Sequence, residues 1–258
     1  MKALLIALPL MLVAGAPAHG QGPRDFRVRV GLGAQVRPDY IGSKDYKLAP
    51  LWDVDFATGA NLFRFEAPDD VFGVPAISIG SFAAGPTFNI ASGRKDSQVG
   101  APVGRVQTTF EAGGFMQYDV NKSVRVRADL RKGIGGHNGL VGAVGADYIW
   151  RDGDRYVFSL GPRLLFSNER YQRAYFGVTP AASLATGLPA YRPSAGVHAV
   201  ALASGLSYQF NRRFGMFGFA RYERLVGDAA KSPLVRQFGS RNQFSAGAGL
   251  SYTFILKR

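Results

Sequence analysis

Three side chains able to do chemistry stand close together in ARYERLVGDAAKSPLVRQFGS (220–240): Asp228, Lys231 and Ser232. A serine nucleophile needs a base within hydrogen-bond reach and a third group to orient it, and no histidine accompanies this segment. Gly227, the small residues after Asp228 and the Ser232-Pro233 step favour a turn instead, with the carboxylate accepting backbone N–H groups and the proline presetting its own φ. His19 lies near the N-terminus, His137 in GIGGHNG and His198 in VHAVALASG. His137 is expected to be solvent-exposed in a Gly-rich loop, and His198 to sit at an interface on the apolar face of a strand. Two lone histidines, no cysteine and no carboxylates at ligand spacing give no metal site. Neither catalysis nor a cofactor is expected.

Arginine supplies the other chemistry. It falls on one set of alternate positions, shared with Gly, Gln and Asp, in FRVRVGLGAQVRP and VRVRADLR, where Arg27, Arg29, Arg37, Arg125, Arg127 and Arg131 oppose Phe26, Val28, Val30, Val36, Val124, Val126 and Leu130. Successive side chains of a strand point to opposite faces, so each stretch has one apolar and one charged face. RVQTTFEAGGFMQYD and QFSAGAGLSYTF alternate in the same way. If the apolar faces meet lipid, Arg27, Arg29, Arg37, Arg105, Arg125, Arg127, Arg131 and Arg163 point into a lumen with Asp53, Asp55, Glu66, Glu111 and Asp129. Such a set either pairs internally as a plug or lines a narrow, anion-preferring passage.

The elements that must position these groups are long strands. Twelve are expected, over 26–37, 47–56, 60–66, 76–83, 86–91, 104–118, 122–132, 139–150, 155–166, 197–210, 214–225 and 243–254, with ten the alternative if the fourth and fifth are lost. Many reach the length a tilted strand needs to cross a bilayer. A soluble β-sandwich also alternates, so the connections decide. Tight ones at 57–60, 83–86, 119–122, 151–154 and 211–213 are interleaved with longer ones at 38–46, 67–75, 92–103, 133–139, 167–196 and 226–242. Short turns on one side and long loops on the other mark an all-β, antiparallel up-and-down outer-membrane barrel with both termini in the periplasm. Trp52, Phe56, Tyr118, Tyr148, Trp150, Tyr208, Phe210, Tyr252 and Phe254 are expected in interfacial girdles.

The chain opens with Met1-Lys2, an uncharged run over 3–15 and small residues at Ala16, Ala18 and Gly20, which reads as a signal peptide over 1–20 followed by a single barrel domain over 21–258. A net charge of +13, or +12 without Lys2, favours anionic partners such as lipopolysaccharide and phospholipid headgroups. The export signal argues against nucleic acid, and the absence of cysteine against disulfides or a lipid anchor on cysteine.

Three stretches, GLGAQVRPDYIGSKDYKLAPL, AYFGVTPAASLATGLPAYRPSAG and RYERLVGDAAKSPLVRQFGSRNQFSAGAGLSYTF, resemble the MipA/OmpV outer-membrane family. The most specific parts are Tyr175, Phe176, Gly177, Val178 and Thr179, with Ala195 and Gly196 downstream, and the core Gly227, Asp228, Ser232 and Pro233. The resemblance implies a barrel in the Gram-negative outer membrane. MipA-like members are scaffolds joining a lytic transglycosylase, MltA, to a peptidoglycan synthase; OmpV-like members are linked to adhesion and to passage of small solutes. Where such barrels end on a terminal aromatic, a signal to the barrel assembly machinery, Ile255-Leu256-Lys257-Arg258 follows Phe254 here. The periplasmic turns and this tail offer basic contacts to cell-wall enzymes.

Overall fold

The computed structural model describes residues 25–256; the expected signal segment and the Lys257-Arg258 end of the tail lie outside the described residues. Strands β1 (Phe26–Pro38) and β2 (Tyr46–Thr58) are followed by two short pieces, β3 (Phe72–Gly73) and β4 (Ile77–Ile79), and then by β5 (Phe82–Ala91). Seven long strands complete the sheet: β6 (Thr109–Asn121), β7 (Val124–Gly135), β8 (Leu140–Asp152), β9 (Tyr156–Ser167), β10 (Gly196–Gln209), β11 (Phe214–Leu225) and β12 (Asn242–Leu256). All pairings are antiparallel, in the order β2-β1-β12-β11-β10-β9-β8-β7-β6-β5-β3, with β4 also on β5. The sheet curls so that Arg37 Nη2 on β1 reaches Ser92 Oγ, just past β5, at 3.5 Å. No helix is long and apolar enough to cross a membrane among the described residues.

The pleat sorts the side chains as the alternation requires. Leu32 lies opposite Trp52 on one neighbour and Leu250 on the other, and all three are more than 60% exposed on the outer face. In a sheet rolled around a polar interior, that band is the lipid face. By the rule for such barrels, the end with short turns and both chain ends faces the periplasm. Aromatic pairs crowd it: Phe26 on Phe56 at 6.0 Å, Tyr148 on Trp150 at 4.2 Å and Tyr252 on Phe254 at 4.8 Å. Trp52 departs from the expected girdle because its register with Leu32 puts it mid-strand. Ile255 and Leu256 extend β12 beyond Phe254, opposite Arg27 and Phe26.

Three expectations about strands are corrected. The stretch 60–66 is not a strand: it leaves the wall and enters the lumen, where Phe63 and Phe65 lie under arginines. The expected turn at 83–86 moves to residues 80–81, and β5 runs through Pro86, which lacks an N–H to give but accepts the Val74 N–H through its carbonyl at 3.1 Å. The sixth strand begins at Thr109 rather than 104, because Val106 is tied to Arg94 within the preceding loop.

The long loops fold down over the extracellular end. They carry α1 (Asp96–Val99), α2 (Glu169–Phe176), α3 (Pro180–Thr186), α4 (Gly227–Lys231) and α5 (Pro233–Phe238). Asn168 and Thr179 cap α2 and α3, their side chains accepting from Tyr171 N and Ala182 N. The apolar residues of this layer form two buried clusters, one around Tyr175, Phe176, Leu225 and Val235, the other around Tyr40, Val178 and Leu234.

Candidate functional site in the barrel lumen

Strand alternation aims the arginines inward, and cross-strand register supplies their first partners. Arg29 stands opposite Asp55 and pairs with it. Arg125 stands opposite Asp147, its Nε 3.1 Å from Oδ2. Arg131 Nε reaches Glu111 at 2.8 Å and its Nη1 bonds Asp129. Arg127 lies over the Phe115 ring at 4.0 Å. Charged groups this buried cost free energy unless paired; here the wall pairs most of its own.

The remaining acceptors come from the segment 59–71. It leaves the periplasmic end of β2, where Asp154 accepts the Phe63 N–H at 3.0 Å and Arg151 donates to the Phe63 carbonyl at 2.6 Å. Arg27 and Arg29 lie over the Phe63 ring at 4.8 and 4.6 Å, and Arg125 over Phe65 at 4.7 Å. Pro68 then touches the far wall at Gly205, where an added Cβ would come within 2.5 Å of Pro68 Cγ. Only glycine admits this approach. Asp69 and Asp70 follow. Asp69 Oδ1 meets Arg163 at 2.9 Å and Asp70 Oδ2 meets Arg125 at 2.6 Å, while Asp147 holds both arginines, Arg163 at 2.6 Å. The result is one alternating chain, Asp70–Arg125–Asp147–Arg163–Asp69, that clips the segment to β7, β8 and β9. The barrel is plugged by its own chain.

Over the plug, the family-motif residues interlock the loops. The Tyr175 hydroxyl donates to Ser92 O at 2.9 Å, and burial pushes that phenol up to about 12. Arg94, 2% exposed, donates to Tyr175 O at 2.6 Å and Gly104 O at 3.0 Å; burial lowers its pKa. Phe176 and Val178 are buried, Gly177 ends α2 and Pro233 starts α5. Ser232 Oγ, fully buried, donates to Phe176 O at 2.7 Å, so its hydroxyl is committed to structure. Gly227 opens α4. Asp228 does more than make a turn: Oδ2 accepts the Ser194 N–H at 2.9 Å and its carbonyl accepts the Tyr191 hydroxyl at 2.9 Å, tying two loops together. The Ser194 N–H, followed by Lys231, holds its carboxyl below the ordinary range.

Both histidines depart from expectation. His137 is buried, with Nε2 3.0 Å from Glu111 Oε1 and Nδ1 accepting the Gly139 N–H at 3.0 Å, because its loop folds inward onto the wall. His198 is fully buried at a bulge in β10 that turns it away from lipid, with Nδ1 3.0 Å from Ser167 Oγ. Arg105 is exposed in the loop before β6 and points into no lumen, since the strand starts four residues later. The structure places Arg27, Arg29, Glu111, Arg125, Arg127, Asp129, Arg131 and Arg163 on the inner face. Asp69, Asp70, Asp147 and Arg94 are the members that sequence reading missed. Asp147 sits in the alternation of ADYIW, a legible signal, whereas Asp69 and Asp70 read as loop polarity. No group of three or more His, Cys, Asp or Glu able to hold a metal occurs among the described residues.

Several solved structures match this chain at low identity. The KdgM porin is 12% identical, with 90% of this chain and 99% of that one covered and a TM-score of 0.39. An outer membrane channel from Pseudomonas putida F1 is 8% identical over 90% and 96% of the two chains, at a TM-score of 0.43. The CymD monoaromatic hydrocarbon channel is 9% identical over 90% and 89%, at 0.37. A comparison with curated proteins gave no match in sequence. The family model for MltA-interacting protein MipA matches residues 30–254, nearly all of the described barrel. This chain belongs to the MipA family.

Proposed function

We propose that the protein is a sealed, non-enzymatic outer-membrane barrel that anchors cell-wall enzymes at its periplasmic face: a lytic transglycosylase of the kind named in the family's description, and through it a peptidoglycan synthase. The observation that carries this reading is the plug. With Asp69 and Asp70 clipped to Arg163 and Arg125, the segment 59–71 crosses the lumen beneath loops that interlock over its mouth. What stays accessible is the rim. The periplasmic turns expose Lys122, Arg155, Arg212 and Arg213. Export by the signal segment, assembly by the barrel machinery and contact with lipid and lipopolysaccharide along the apolar band belong to the same reading.

Each turn is short, against about 800 Å² per partner in a standard interface. The anchor therefore works through several turns together, and charge steers the encounter. Purified barrel on a column should retain a purified lytic transglycosylase at physiological salt, and the combined variant Lys122→Glu, Arg155→Glu, Arg212→Glu, Arg213→Glu should lose it. No retention by the wild-type barrel refutes the anchor.

A second reading, passage of small anionic solutes, is favoured by the guanidinium ladder. It requires the plug to move.

A further inference from the structure

We propose that residues 60–66 have a second seat as a wall strand on β2, and that their transfer from lumen to wall opens a passage for small anions. The first observation is an unfilled place in the wall. Among the described residues, β2 pairs with β1 alone, and β3 and β4 pair with β5 alone. Two strand edges therefore face one another's gap at membrane depth. Unpaired backbone groups in hydrocarbon cost several kcal/mol each, so a segment that fills the gap gains backbone pairing that offsets part of the contacts it leaves in the lumen.

The second observation is that a hairpin already begins there. Asn61 N donates to Thr58 O at 3.2 Å, Gly59 has φ +61°, and Ala60 does not share the positive sign. Glycine at the first central position with positive φ is the mark of a type II′ turn, whose twist matches antiparallel strands. Beyond Asn61 the hairpin stops and the chain dives into the lumen. Continued in register, it sets Phe63 opposite Phe56, Arg64 opposite Asp55, Phe65 opposite Val54 and Glu66 opposite Asp53. On β2, Val54 and Phe56 face lipid while Asp53 and Asp55 face inward. Phe63 and Phe65 thus join the apolar band, Arg64 meets a carboxylate inside, and Asp53 with Glu66 is the one like-charged pair. Residues 61–71 span roughly 36 Å as a strand, enough to climb the wall to β3.

The third observation concerns what the transfer uncovers. Arg125 and Arg163 lose Asp70 and Asp69, while Arg27 and Arg29 lose the Phe63 ring. Even with the plug seated, the buried Nε of Arg27 has no hydrogen-bond partner, and those of Arg127 and Arg221 are held only by longer ion pairs of 3.7 Å to Asp70 and Asp69, which the transfer also removes. A ring of arginines facing water selects anions.

The cysteine-free chain allows both seats to be locked. Pro68→Cys with Gly205→Cys joins plug to wall where the two residues touch; Asp55→Cys with Arg64→Cys joins the hairpin across one register pair. In planar bilayers, wild type should be closed with brief discrete openings. The oxidised Pro68→Cys/Gly205→Cys barrel should be silent and regain openings on reduction. The oxidised Asp55→Cys/Arg64→Cys barrel should stay open, with a chloride-over-potassium reversal potential that collapses when Arg125→Gln and Arg163→Gln are added. Circular dichroism and heat-modifiable mobility establish folding in each case. The proposal is overturned if folded Asp55→Cys/Arg64→Cys barrel keeps free thiols by mass spectrometry under oxidation, or crosslinks and remains silent. Transglycosylase retention on these same variants tests the anchor separately: loss of conductance leaves it untouched.

Discussion

Replacing Asp147 tests the plug lattice most directly, because one carboxylate serves two guanidiniums. Asp147→Asn removes the charge bound by Arg125 through Nε at 3.1 Å and by Arg163 through Nη2 at 2.6 Å. Arg125 and Asp147 are each about 1% exposed at the side chain, so solvent does little to replace what is lost. A hydrogen bond to a charged partner contributes about 1.5–3 kcal/mol, and removing one member of a buried pair costs about 3–5 kcal/mol. Both arginines keep a plug aspartate, which places Asp147→Asn at about 3–4 kcal/mol. Asp70→Asn removes the charge that Arg125 meets at 2.6 Å and Arg127 at 3.7 Å while Asp147 still holds Arg125, and should cost about 1.5–3 kcal/mol. Together the two changes strip Arg125 of every carboxylate. Their combined effect should exceed the sum by at least about 1 kcal/mol, as expected for members of one network. Urea unfolding of barrels in lipid vesicles, followed by the fluorescence of Trp52 and Trp150, gives all three values. A loss below about 0.5 kcal/mol for Asp147→Asn, or strict additivity in the double variant, would refute the lattice as the device that holds the plug.

The cap and the lipid face give three further outcomes. Ser232→Ala leaves the buried Phe176 carbonyl without its donor at 2.7 Å and should cost about 1–3 kcal/mol, seen as faster proteolytic nicking of loop 168–195 on intact barrels. The Asp228 carboxyl is depressed in the folded state, so its contribution is complete above the ordinary aspartate value near about 4 and is lost as pH falls through the lower folded value. Protection of the Ser194 amide against hydrogen exchange, corrected for intrinsic rate, should therefore drop on acidification in wild type and stay flat in Asp228→Asn; equal profiles would break the link. Leu250→Arg, on a side chain 69% exposed at mid-strand, should destabilise the barrel by about 2–4 kcal/mol in vesicles. An unchanged urea midpoint would mean that this face does not meet lipid.

Period-two alternation together with the interleaving of short and long connections was enough, without any tertiary information, to point to the antiparallel barrel, its outward apolar face and the inward aim of Arg27, Arg29, Arg125, Arg127, Arg131 and Arg163. A strand offers only two faces, so one apolar set assigns both. The same rule misled at 60–66, since Phe63 and Phe65 suit lipid and an arginine-lined lumen equally well, and only the positions of Arg27, Arg29 and Arg125 across the bore decide between those seats. Asp69 and Asp70 have partners 94 and 55 residues away, a separation no local pattern encodes. His137 and His198 looked exposed or interfacial because their neighbours are glycines and small apolar residues. Loop closure above β7 and the bulge in β10 buried them. Local alternation thus determined which way side chains point, and the folded chain alone decided what fills the space they point into, because filling a lumen depends on contacts between residues far apart in sequence.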